Sequence, residues 1–178
     1  NYIIESDSPI MLTNTIYHVF EKELVAAGID NKYYLQGVLH ELFDEKFFFH
    51  RDYVAKDPNV TSVYSSIVDF IKQARYPITK QQIMQKFPGI TDIVVLLSVD
   101  DNEVLNYFGE YLHACRLSIS NEERKYLRRV IERVVNDRET HRIKEIWDII
   151  SVEQPAIMSR NGALIPFSAF SILEYLFR

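Results

Sequence analysis

The sequence predicts a mainly α chain with short β-hairpins, built as repeats of about 65 residues. Three observations point there. Only five Gly and six Pro occur in 178 residues, few for a chain of many tight β-turns, while eleven Tyr and eleven Phe supply large apolar groups for several small cores. Short apolar openings recur at Leu12-Thr13, Ile78-Thr79 and Ile143-Lys144, spaced 66 and 65 residues apart. Each is followed by an amphipathic helix pattern, a break, and a more apolar helix pattern.

In the first repeat, Ile16, Tyr17, Phe20 and Leu24 mark the short helix, and Ala26-Ala27-Gly28-Ile29-Asp30 marks the break. Gly closing one helix and Asp or Asn opening the next are the chemistry of a sharp helix-to-helix turn. The second helix is predicted over 31–43, and the run FFFHRDYVA at 47–55 reads as extended chain.

The middle repeat opens with a helix over 60–74 whose apolar face holds Val63, Ile67, Phe70 and Ile71. Ile78 then reads as a short strand, Thr79 and Gln82 as a helix cap, and Ile83, Met84 and Phe87 as a buried helix face. Pro88-Gly89-Ile90 supplies the turn into helix 91–99. Glu103–Phe108 and Tyr111–Cys115 are aromatic-rich strand patterns about a turn at Gly109-Glu110.

The third repeat begins with the capping box Ser120-Asn-Glu-Glu123 and a helix over 121–136 carrying Tyr126, Leu127, Val130, Ile131, Val134 and Val135. Ile146, Trp147, Ile149 and Ile150 form the next helix face, the segment 155–162 reads as a break, and 166–177 as a final helix. VLHELF at 38–43 matches ILEYLF at 172–177.

Helix, short strand, helix, turn, helix, hairpin is the element order of a winged helix, and residues 60–116 resemble that superfamily in each element. The resemblance implies tandem winged-helix repeats: a partial unit at 1–57, a complete unit at 58–118 and a third at 119–178 that stops before its wing. It also implies a DNA-binding, transcription-regulatory segment of a larger protein, with several modules on one duplex. Fold alone does not establish that function, so the residues must carry it.

Net charge is −5, which opposes a general electrostatic grip on nucleic acid, but the charge is patterned. Residues 1–50 carry three cations against eight carboxylates, 51–90 six against three, 91–120 one against five, and 121–145 eight against six. A duplex reader needs cations or amides on its solvent face. Helix 31–43 offers Lys32 and Gln36, with Asn31, Tyr33 and His40 nearby and His50 and Arg51 following. The stronger stripe is Lys125, Arg129 and Arg133 at successive i+4 positions, with Arg128 alongside and Arg142 beyond. Interleaved Glu122, Glu123, Glu132, Asp137 and Glu139 fit an ion-paired surface helix equally well. Helix 91–99 offers Thr91, Asp92 and Ser98 and no cation, so it reads as a packing helix; 166–177 offers Ser168, Ser171 and Glu174, preceded by Arg160 and Asn161.

Catalytic, metal and cofactor residues are not expected. The five histidines at 18, 40, 50, 113 and 141 show no ligand spacing, and there is no phosphate loop, GxSxG or dinucleotide fingerprint. Asp100–Glu103 reads as a turn rather than a calcium loop. The single Cys115 excludes an intramolecular disulfide and reads as a buried thiol. With no secretion pattern and no long apolar run, the expected setting is intracellular, cytoplasmic or nucleoid-associated, and away from membranes. The opening at Asn1 and the stop at Arg178 inside a helical pattern read as the ends of a fragment. Two functions stand open: duplex DNA binding, or a winged-helix protein-protein interaction scaffold without nucleic-acid contact.

Overall fold

A computed structural model describes residues 2–135 and 143–161. The described chain is mainly helical and contains two three-stranded antiparallel sheets. It divides into two compact units, Asn1–Phe70 with Lys80–Ser98, and Ile71–Thr79 with Val99–Arg178.

The first elements are α1 (Tyr2–Glu5), β1 (Ile10–Leu12), α2 (Thr13–Val19), α3 (Glu21–Ala26), α4 (Lys32–Phe43), β2 (Phe48–Phe49) and β3 (Tyr53–Ala55). The helix expected across Ile16–Leu24 is two helices, because Phe20 leaves helical geometry at φ −113°, ψ 21°. Gly28 takes φ +83°, the left-handed conformation that stops α3 and that glycine adopts without steric cost. Asn31 then caps α4, its side-chain oxygen accepting the N–H groups of Tyr33 and Tyr34 at 3.0 and 2.9 Å.

The pairing of the 47–55 run is settled by β3, which lies between β1 and β2. Met11 is opposite Val54 on one side, and Phe49 is opposite Val54 on the other. Val54 is fully buried with Met11, Ile16, Tyr17, Leu35 and Phe47, and Phe20, Leu24, Ile29, Leu39 and Phe49 pack around them. At roughly 1.5–3 kcal/mol for each fully buried large apolar side chain, this cluster is what fixes α2 and α4 on the sheet.

The order then recurs: α5 (Val63–Gln73), β4 (Ile78–Thr79), α6 (Lys80–Lys86), α7 (Asp92–Val99), β5 (Val104–Tyr107) and β6 (Glu110–His113). Ser62 starts α5 by accepting the Ser65 N–H at 3.0 Å. Its Ile67 and Ile71 are fully buried, while the Phe70 ring meets Phe87 edge-on. Gly89 takes φ +88°, and a Cβ there would lie 1.9 Å from Thr15 Oγ1. Only glycine permits both that backbone and that approach.

In the second sheet β6 lies between β4 and β5, with Ile78 opposite Tyr111 and Leu105 opposite Leu112. Both sheets thus place their third strand in the middle. The hairpin turns at Phe108-Gly109, both at positive φ (+50° and +82°), one residue earlier than the sequence suggests. The Asp100–Glu103 segment is a turn as expected: Asp101 Oδ1 accepts the Glu103 N–H at 2.7 Å, and the Asp101 carbonyl accepts that of Val104. β6 ends at His113, because the imidazole Nδ1 accepts the Cys115 N–H at 3.1 Å and starts a 3-10 turn at Ala114–Arg116. Cys115 is consequently exposed, not the buried strand thiol expected.

Three helices follow: α8 (Asn121–Val135), α9 (Ile143–Glu153) and α10 (Pro155–Asn161). The capping box is formed as predicted, Ser120 N–H donating to Glu123 Oε2 at 2.8 Å and Glu123 N–H to Ser120 Oγ at 3.2 Å. Ile143 and Lys144 lie inside α9, so the third opening is helical rather than a short strand. The break expected at 155–162 is instead helix α10, with Pro155 in the first turn, where a missing N–H leaves no helical bond unmade. Leu127, Val130 and Ile131 of α8, Ile146, Trp147 and Ile150 of α9, and Ile157 of α10 bury against Leu105 and Leu112. The helix expected at 166–177 lies outside the described residues.

Candidate interaction surfaces

The first candidate surface is the outer side of α4 with the β2–β3 connection. Leu35, 3% exposed, anchors the inner side of α4. The outer side brings Lys32 and Gln36 to the connection that carries Arg51, so these three sequence-predicted readers share one region. Lys32 Nζ lies 3.2 Å from Asp52 Oδ1 and 4.9 Å from the centroid of the Tyr33 ring. The hydrogen bond to Asp52 chiefly holds the Lys32 ammonium above its ordinary range. Gln36 Nε2 donates to the carbonyl of His50, whose ring stacks on Tyr53 with centroids 4.4 Å apart. Arg51 is exposed. Two of the three readers therefore pin the connection to the helix with the groups that would otherwise meet a duplex.

The second candidate surface is α8. Lys125, Arg128, Arg129 and Arg133 are exposed. Arg133 pairs with Glu153 Oε1 at 2.7 Å, and the other oxygen of that carboxylate accepts from the Tyr126 hydroxyl. Tyr126 first, then Arg133, hold the Glu153 carboxyl below its usual range. Arg129 Nε reaches the carbonyl of Lys125 at 3.4 Å. Arg142 lies outside the described residues. Arg160 and Asn161, expected in a turn, are helical and structural: Arg160 pairs with Glu123, and buried Asn161 accepts the Ser118 N–H at 2.9 Å. The Ser120 N–H first, then Arg160, lower the Glu123 carboxyl.

The third surface is one that polar-residue patterns do not reveal. On α7, Val95, Ser98 and Val99 are buried, whereas Ile93, Leu96 and Leu97 are 67%, 55% and 58% exposed. Positions i, i+3 and i+4 form one stripe of a helix, so three aliphatic side chains stand together in solvent. Ser98, expected on the polar side, is turned inward and donates to the Val94 carbonyl at 2.7 Å. Asp92 pairs with Lys80 at 3.0 Å, and Thr91 Oγ1 accepts the Val94 N–H. The signal available in the sequence is compositional: every residue of α7 except Asp92 and Ser98 is aliphatic, more than one buried face needs.

Among the described residues no group of three or more His, Cys, Asp or Glu side chains is placed to hold a metal ion. Nor, among them, is any helix long and apolar enough to cross a membrane. Comparison with family models, with curated proteins and with solved structures finds no match to this chain.

Proposed function

We propose that the chain is a tandem winged-helix protein-interaction module, in which α7 lays its Ile93, Leu96 and Leu97 stripe against an apolar groove of a partner protein. The repeated order of strand, two helices and hairpin, with the third strand central in each sheet, supports the winged-helix reading. The observation that carries the functional reading is the aliphatic stripe itself. Large apolar side chains scattered singly on a surface are ordinary, but a contiguous stripe on one helix marks a contact surface. In a winged helix that binds a duplex, this helix position needs cations and amides, and α7 has neither.

Duplex binding remains a second reading on one observation, the exposed Lys125, Arg128 and Arg129 of α8. The two separate experimentally. Affinity capture with the wild type, an Ile93→Glu/Leu97→Glu variant and a Lys125→Glu/Arg129→Glu variant should recover one partner with the first and third proteins and lose it with the second. Titration with duplex DNA at low salt should show no binding that the α8 variant abolishes; such binding would favour the DNA reading instead.

A further inference from the structure

From Asp100 to Leu112 the chain carries Asp100, Asp101, Glu103 and Glu110 and no Lys or Arg. This acidic stretch builds the β5–β6 hairpin, and at its tip stands Phe108, 92% exposed and at φ +50°. Two features there oppose folding. The two-residue turn has both residues at positive φ, which suits Asn-Gly and is strained for a bulky side chain. An almost fully exposed phenyl ring also gains nothing from burial.

The neighbouring groups give the ring a chemistry. The Tyr107 and Phe108 rings meet at 81° with centroids 4.7 Å apart, the half-buried Tyr107 packing against the core and supporting the exposed Phe108 ring from below. Glu110 is directly opposite Tyr107 in the ladder, and directly opposed residues project from the same side of a sheet. The exposed Phe108 ring face and the Glu110 carboxylate both attract positive charge.

We propose that the hairpin tip of Tyr107, Phe108 and Glu110 is a docking point for an arginine or lysine side chain on a basic segment of a partner protein. The cation seats against the Phe108 ring while Glu110 neutralises it, and the partner's backbone covers the exposed phenyl edge. This proposal extends the interaction reading to a second surface and makes no use of α7, so each fails independently of the other.

The probes are three short fluorescent peptides of equal length, in which Gly-Ser spacers alternate with Arg, with Lys or with Glu. Anisotropy at low salt should show binding of the Arg and Lys peptides and none of the Glu peptide. Phe108→Asn should weaken the Arg peptide about threefold to tenfold, with an unchanged or raised melting temperature because Asn suits the turn. Phe108→Tyr keeps a ring face and should bind as the wild type. Glu110→Gln should weaken binding about twofold to fivefold and flatten its salt dependence. The Ile93→Glu/Leu97→Glu variant should bind the peptides normally. Equal binding by Phe108→Asn and the wild type would overturn the proposal, as would absence of Arg-peptide binding at low salt. Binding of a DNA oligonucleotide that Phe108→Asn abolishes would likewise overturn it, making the ring a base-stacking platform.

Discussion

α4 and α7 occupy the same place in two successive runs of strand, helix, turn, helix and hairpin and both expose large apolar side chains, but α4 sets Tyr33, Tyr34 and Leu42 among polar groups where the exposed stripe of α7 is wholly aliphatic. α4 is a twelve-residue helix, capped by Asn31, whose Lys32 and Gln36 are turned onto the connection at 50–52. α7 is an eight-residue helix that buries Val95 and Val99 and leaves Ile93, Leu96 and Leu97 in solvent. The hairpins differ as well: one closes through His50, Arg51 and Asp52, the other through a two-residue turn tipped by Phe108. A position in a fold therefore fixes geometry and leaves the chemistry to the side chains. In this chain the readers a duplex would need on α4 serve the fold, and the helix without readers holds the exposed aliphatic stripe.

The comparison breaks most readily at the apolar side chains. Leu35→Ala removes the buried anchor of α4 and should cost about 3 kcal/mol in urea unfolding. Leu96→Ala on α7 should change stability by no more than about 0.5 kcal/mol. An equal loss at both would mean that Leu96 is packed and that α7 has no free stripe. The turns preceding the two helices differ similarly. A Cβ on Gly28 would meet nothing within 4 Å, so Gly28→Ala should cost only the left-handed backbone, about 1 kcal/mol. Gly89→Ala adds the collision with Thr15 Oγ1 and should cost about 2 kcal/mol, falling toward but not to the Gly28→Ala level when Thr15→Ala is combined with it, because the Thr15 Cβ remains at 3.3 Å.

Much of the fold was legible because its signals are local. The Gly stops at 28 and 89, the Asn31 cap and the Ser120–Glu123 box each lie within a few residues of the element they define. The candidate surfaces were less legible. Lys32 meets Asp52 and Gln36 meets His50 across 20 and 14 residues, separations at which spacing rules say nothing. The sides of α7 could not be told apart because nearly every position is apolar and no periodicity marks the exposed stripe. Strand alternation extended past His113 would bury Cys115, but a ring nitrogen of His113 ends the strand before it.

That same histidine makes a smaller prediction about the second hairpin. His113 is 2% exposed, and burial outweighs Glu103 and Asp101, which raise its pKa; with Lys72 and Arg116 also opposing protonation, the net direction is downward. Its Nδ1 accepts the Cys115 N–H, so the ring proton sits on Nε2, 3.5 Å from Glu103. The unfolded chain thus takes up this proton first. The stability contributed is fully present above the unfolded value of about 6.5 and is lost as pH falls below it through the folded pKa. Urea midpoints at pH 7.5 and 5.5 should differ less in His113→Gln than in the wild type. The smallest effect belongs to the surface of α4: the exposed Lys32–Asp52 pair should be worth no more than about 1 kcal/mol in a double-mutant cycle, fading with salt.

The most direct test is quantitative binding of the captured partner to the wild type, Ile93→Glu/Leu97→Glu and Lys125→Glu/Arg129→Glu proteins, with duplex DNA titrated in parallel. If α7 is the contact surface, partner binding is lost in the α7 variant and retained in the α8 variant, and no DNA binding depends on Lys125 and Arg129. Partner binding that survives the α7 substitutions, or salt-dependent DNA binding that disappears with the α8 substitutions, would contradict that role.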